Sequence, residues 1–348
     1  MANLGGNDVR LGYASWIGIG EETTFGVKAT ANSYFEFNSE SLKLNRETIF
    51  LESINTTRDI TRYFTGNEIV EGNIEVDLNI AEDGIVKIIK QAFGGTVTSS
   101  GTSTAGYTHI LNLGDMENNQ SSAGSSDTKS LTISVQKGNT TSTQFHFVGC
   151  RINNLTIAGE INAPIKMTAD ILGKTATNTA ESHTVIFSDI KPLFFTGITI
   201  QTGDSTGNLT ATSCIGFEFA LTNNLASDAN VRSLGSRNIT KLPPLTREAT
   251  LKLTMRFDTT TAYTNFLNET SIAVKIIMSS GETIGSDAGS TTYSMYIECP
   301  TCYLTGSPIP EIGEKGPIVT DLEFKLVKEN TTSAYLCKAE ICNATANY

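Results

Sequence analysis

Apolar and polar residues alternate with period two along most of the chain. Phe35 and Phe37, then Leu42 and Leu44, stand in polar surroundings at strand spacing. The same alternation returns at 69–80, 131–135, 145–148, 163–170, 194–200, 248–257, 293–297 and 316–323. Each block reads as a strand with one buried face, because successive side chains of an extended backbone point to opposite sides. Helical spacing is rare. It predicts one clear short helix from Ile85, Ile88, Ile89 and Ala92, with Asp83 as cap and Gly94-Gly95 as the stop, and a weaker one over 259–267.

The blocks repeat. Arg58-Asp59-Ile60-Thr61-Arg62 returns as Arg237-Asn238-Ile239-Thr240-Lys241, and Gly72-Asn73-Ile74-Glu75-Val76-Asp77-Leu78 is answered at nearly the same offset by Ala249-Thr250-Leu251-Lys252-Leu253-Thr254-Met255. The closing strands, 163–170 and 316–323, match at a smaller offset. A longer Gly/Ser/Thr-rich loop over 94–130, against 279–292, accounts for the difference. The chain is therefore expected to be mainly β, with two tandem copies of a unit: strand, long connection, strand, short helix. The boundaries expected are an N-terminal arm over 1–33, a first domain over 34–173, a linker over 174–191 and a second domain over 192–348.

The two long connections, 45–67 and 223–245, are too long and too apolar for simple turns. Connections of that kind inside a compact domain are usually functional or packed on a partner. They are read as arms that leave the domain to bind another subunit, with Arg46, Arg58, Asp59, Arg62, Tyr63, Arg237 and Lys241 as contact residues; the other reading of these charges is a solvated surface. In the N-terminal arm, Trp16 and Phe25 are the candidate anchors on a neighbour, and a flexible tail is the alternative.

Composition narrows the chemistry. Of 348 residues, 39% are hydrophobic and only 18% charged, so polarity comes from Thr, Ser, Asn and Gly, the residues of strands and turns. A net charge of −11 argues against gripping nucleic acid through its phosphates. No apolar run approaches the roughly 20 residues a membrane helix needs, and residues 1–8 have no basic region or signal-peptide core, so synthesis in a cytoplasm is expected. Gly18-x-Gly20 is no dinucleotide fingerprint: Thr23 replaces the third glycine, and Glu21 and Glu22 stand where a pyrophosphate would lie. The histidines number three. His146 is expected to point outward from its strand and His109 and His183 to lie in loops, which leaves no hydrolytic triad and no metal-binding spacing. With one Trp, the chain also lacks the aromatic lining usual in sugar-cleaving clefts. Cys299, Cys302, Cys337 and Cys342 are open to three readings: buried thiols, a strap between the last strands, or a four-thiolate zinc site. Strand alternation around Cys299 and Cys337 favours the first. No catalytic residue, cofactor or metal is expected.

Some stretches are also similar to a known family. Gly20-Glu21-Glu22-Thr23-Thr24-Phe25-Gly26-Val27-Lys28-Ala29-Thr30, Phe35-Glu36-Phe37, the Arg-rich excursion, Val70-Glu71-Gly72-Asn73-Ile74 and the short helix resemble the tail tube proteins of long-tailed, non-contractile bacteriophages (siphophages). So do Phe217-Glu218-Phe219-Ala220-Leu221-Thr222-Asn223-Asn224-Leu225 and Leu234-Gly235-Ser236-Arg237-Asn238-Ile239. The resemblance covers most of the chain through loose strand and turn patterns. It implies β-sandwich or barrel domains flanked by a helix, and rings stacked into a hollow tube for DNA. Most members are single-domain and hexameric, so a duplicated chain implies a ring of three. It also implies a virion tail location, partners in the chain itself, the tape measure, tail terminator and tail tip proteins, and DNA that passes without specific binding. An acidic lumen would repel phosphate, with Glu75, Asp77 and Asp170 as candidate lining residues. The competing readings are a secreted adhesin or surface-layer protein and a carbohydrate-active β module.

Overall fold

The alternation becomes nineteen strands and two α-helices in the computed structural model, which describes residues 11–54, 56–114, 129–138, 143–285, 290–313, 315–329 and 335–348. The first half contains β1 (Trp16–Glu21), β2 (Ser33–Phe35), β3 (Ser39–Glu40), β4 (Lys43–Leu51), β5 (Arg62–Asp77), α1 (Asp83–Phe93), β6 (Gly94–Thr102), β7 (Gly106–Leu113), β8 (Leu131–Gln136), β9 (Gln144–Glu160), β10 (Lys166–Gly173) and β11 (Thr175–Thr177). The second contains β12 (Ile198–Ser205), β13 (Asn208–Thr212), β14 (Gly216–Thr222), β15 (Glu248–Arg256), α2 (Thr261–Leu267), β16 (Ile272–Thr283), β17 (Thr292–Leu304), β18 (Val319–Leu326) and β19 (Lys338–Asn343). All pairings are antiparallel, as expected of a mainly β fold with solvated sheet faces.

Both halves lay down their strands in one spatial order. The first runs β2–β1–β8–β9–β10–β5–β4, with β11 beside β10 on the edge of β9. The second runs β13–β12–β16–β17–β18–β15–β14, with β19 beside β18 on the edge of β17. This order makes β1 the counterpart of β12. The repeated sheet therefore starts at Trp16, inside the stretch expected to be an arm. Trp16, Ile17 and Ile19 are buried there because β1 lies between β2 and β8, in the interior of its sheet. The expected linker is also placed: Thr175–Thr177 pairs with β9, and 178–183 lies against the first half, where Gln144 and His146 bond the carbonyls of Glu181 and Thr179.

The Gly/Ser/Thr-rich insertion is not a plain loop. Among its described residues β6 and β7 form a hairpin, and β7 pairs with β19 of the second half from Tyr107↔Asn343 to Asn112↔Lys338. A second ladder joins the halves where β14 pairs with β9, from Gly216↔Glu160 to Thr222↔Asn154. The buried side chains of both halves consequently form one contiguous core, from Ile17 to Cys342. Helix α1 fits its expectation closely. Ile85, Ile88, Ile89 and Ala92 are buried at helical spacing, and Gly94 ends the helix at φ 70°, a left-handed conformation that a side chain would disfavour. Its N-cap is Glu82, one residue before the expected Asp83; Asp83 instead accepts hydrogen bonds from Thr345 and Tyr348.

Candidate assembly surfaces

The first arm is a β-hairpin that projects from the sheet. Its ladder runs from Lys43↔Glu71 to Leu51↔Arg62, with the described residues 52–54 and 56–61 at the tip. Beyond the base, one face of the ribbon no longer lies over the core, and the burial pattern turns almost wholly to solvent. Ile49, Phe50, Ile54, Ile60, Tyr63 and Phe64 are all exposed, Ile54 fully so. Phe50 and Tyr63 share a rung with ring centroids 6.3 Å apart. Arg46 Nε meets Glu68 Oε1 at 2.8 Å at the base, while Arg58, Asp59 and Arg62 are exposed around the tip. Contiguous exposed apolar surface of this kind marks an interaction site more often than chance.

The second arm, over 223–247, has similar length and the opposite fate. Isolated bridges Leu225↔Pro244 and Arg232↔Ile239 fold it back on itself, and it lies down on the first half of its own chain. Val231, Ile239 and Leu242 pack with Phe25, with Ile69 and Leu172 at the margin, in a small core of their own. Polar groups pin the same contact. The Asn223 side-chain amide donates to the carbonyls of Ala92 and Ile152, Arg151 Nη1 donates to the Leu242 carbonyl at 3.2 Å, and Glu68 N donates to the Arg237 carbonyl. Arg232 Nη1 bonds the carbonyls of Glu68 and Arg237. Arg151 is wholly buried, and burial lowers its pKa to about 10 against the opposing pull of Glu22. Glu22 is itself buried and accepts from Gly26 N, Gly149 N, Ser130 Oγ and Thr132 Oγ1. On the outer side of this arm the Arg237 and Lys241 side chains face solvent.

Trp16 and Phe25, expected to anchor on a neighbour, are buried within the chain. Trp16 packs edge-on against Tyr34 and His183, with centroids 5.5 and 4.8 Å away, and Phe25 forms the floor under the second arm. Both are aromatics in an apparently polar stretch, and only the fold shows that the stretch doubles back over a core.

The two halves share an open sheet face. Asp77, Lys166, Ala158, Glu218, Lys252 and Glu323 stand in one row across β5, β10, β9, β14, β15 and β18. Glu75 and Lys325 close the ends of a second row, and Asp170, Glu248, Glu160 and Asp321 lie in the flanking rows of the same face. The opposite face, with Ile74, Met167, Ile157, Phe219, Leu251 and Phe324, is core. Glu75, Asp77 and Asp170 are thus brought onto one surface, as part of a larger acidic face. Its lysines are neutralised locally: Lys166–Glu75 and Lys252–Asp321 at 2.8 Å, Lys325–Glu248 at 3.3 Å. The hydrogen bond from Lys252, with that from Thr254, holds the Asp321 carboxyl below its ordinary range, and the bond to Glu75 raises Lys166. Carboxylates remain in excess over these pairs.

The groups considered for chemistry are committed to structure. His146 is buried, its Nδ1 at 2.8 Å from Ser134 Oγ and its Nε2 at 2.8 Å from the Thr179 carbonyl, while Phe145 is the exposed member of the run. The outward expectation fails because the 175–181 stretch covers that face of β9. His109 lies on β7, buried between Ser99 Oγ at 2.8 Å and the Thr345 carbonyl at 2.8 Å. Cys299, Cys302, Cys337 and Cys342 are buried free thiols; burial pushes Cys337 up to about 12. Among the described residues no group of three or more His, Cys, Asp or Glu converges on a metal site, and no helix is long and apolar enough to cross a membrane. Arg151 escaped the sequence reading, and Glu22 entered it only as an acid unsuited to a pyrophosphate, since nothing in their neighbours marks a buried charge.

A family model described as phage tail tube protein matches residues 6–326. No curated protein matches the chain.

Proposed function

The chain belongs to the phage tail tube protein family, and on that premise we propose that it is the two-domain, siphophage type of subunit, three copies of which close a pseudo-hexameric ring. It is a structural protein of the virion tail. Stacked rings would form the hollow tube through which DNA leaves the particle, with the tape measure protein inside and terminator and tip proteins at the ends. The observation that carries this reading is the repeated strand order with a continuous sheet across the joint: β14 of one half extends the sheet of the other at β9. Three chains would present six such units, and joining them in the same way would leave few free edges. The acidic open face would be the lumen wall, where carboxylates keep phosphates from sticking. Arg58, Arg62, Arg237 and Lys241, on the exposed sides of the arms, would pair with acids of the adjacent ring. Negative-stain microscopy of the concentrated protein tests this. Hollow tubes whose rings average to threefold symmetry are expected; a monomer at every salt and concentration would overturn the reading.

A further inference from the structure

The geometry points to one specific joint between chains: the β4–β5 hairpin of one copy docks on the second half of another copy, at the place where the 223–247 arm docks on the first half of its own. This rests on the assembly reading above and names the surfaces that would carry it. With Ile74 and Leu251 taken as equivalent, as the repeated stretches 72–78 and 249–255 align them, their partners Ala169 and Phe324 correspond, and Leu172, under the docked arm, corresponds to Val327. Val327 is 43% exposed. The pairings Thr250↔Lys325, Cys302↔Leu326 and Ile272↔Cys302 bring the start of β15 and the end of α2 to that same end of the sheet, where Leu245 and Leu267 are exposed by 63% and 61%. In the first half the equivalent end, at Ile152 and the carboxyl end of α1, is capped by Asn223 and covered by Ile239 and Leu242.

Among the described residues one chain thus holds one completed joint, one arm with exposed apolar side chains and one socket with exposed apolar side chains. A plug and a socket on opposite halves make a heterologous contact, which propagates from copy to copy until a ring closes. The arm carries the part of this joint that a strand ladder between copies does not. The stretch that continues β17 on the socket side contains Pro308 and Pro310, and a proline has no N–H to give a neighbouring strand. A second copy is the occupant because the chain already displays the same arm-on-half contact internally.

The test uses the full chain in two variants, Phe50→Asp with Phe64→Asp on the arm and Leu267→Asp with Val327→Asp on the socket, examined by sedimentation velocity and negative stain. All four sites are exposed, so thermal melting of the monomer is expected to be unchanged; if either variant melts early, Phe64→Ser and Val327→Ser replace it. Each variant alone is expected to remain monomeric where the natural chain assembles. An equimolar mixture, which has one intact arm and one intact socket, is expected to stop at a one-to-one dimer. Normal tubes from either variant alone, or a mixture that stays monomeric, would overturn the joint while leaving the tube reading standing. A natural chain that never assembles would overturn both.

Discussion

The two arms begin from related sequences and end in different environments. Arg58-Asp59-Ile60-Thr61-Arg62 sits on the exposed tip of a hairpin, whereas in Arg237-Asn238-Ile239-Thr240-Lys241 the central isoleucine is fully buried against the first half. The difference does not lie in the Ile, which both carry. It lies in what stands beside each arm: the second has the first half of its own chain within reach, through the β9–β14 ladder, whereas the apolar side chains of the first, Phe50, Ile60 and Phe64 among them, stay exposed. Where a repeated protein buries a segment in one copy and exposes its equivalent in the other, the exposed one is the natural place to look for a partner.

The comparison predicts a strong asymmetry in stability. Leu242→Ala should destabilise the monomer by about 2–4 kcal/mol, the usual cost of a cavity at a buried leucine, measured by denaturant unfolding. Equal stability to the natural chain would mean that the arm is not docked in solution. Next in size, Asn223→Ala removes the amide that bonds the carbonyls of Ala92 and Ile152, leaving two buried acceptors without this donor. A loss of about 1–3 kcal/mol is expected, with little change at the first arm in hydrogen exchange.

A pH effect should be indifferent to the arms and so serves as the control. Glu82 is raised to about 7, first by burial, although backbone hydrogen bonds from Glu36 and Ser188 oppose it. Its folded pKa lies above the unfolded one, so the unfolded chain gives up this proton first. Stability from this group is complete below about 4.5, falls as pH rises to about 7, and is level beyond. Glu82→Gln should flatten that slope, worth about 2 kcal/mol after allowance for solvent screening, equally in chains with and without the tip over 52–61. The smallest effect is expected at the first arm itself. Phe64→Ala should change monomer stability by no more than about 0.5 kcal/mol, and limited trypsin digestion should cut at Arg58 or Arg62 before Arg237 or Lys241. First cleavage at Arg237 would reverse the assignment of docked and free arm.

Much of this was legible from residues. Alternation located β5, β8, β10, β15 and β18, and Ile85, Ile88 and Ile89 located α1, because burial on one face leaves a periodic trace in a single strand or helix. The repeat was legible for the same reason: two copies under one set of burial constraints keep one pattern. His146 was not, because alternation assumes one wet face, and the segment covering its second face lies some thirty residues further along. Trp16 and Phe25 were visible as anchors but not as anchors on their own chain. The open acidic face was visible only as scattered carboxylates until the register of six strands put Glu75, Asp77 and Asp170 beside Glu218 and Glu323.

By itself the sequence determined many of the strands, the helix α1 and the recurrence of one pattern along the chain, since each of these depends on neighbours within a few residues. Only the tertiary structure decided which edges meet, that β9 pairs with β14 and β7 with β19, and therefore which arm is satisfied and which is left open. Strand pairing joins residues far apart in the chain through backbone groups that every residue shares, so side-chain pattern constrains the face a residue occupies far more than the partner it finds.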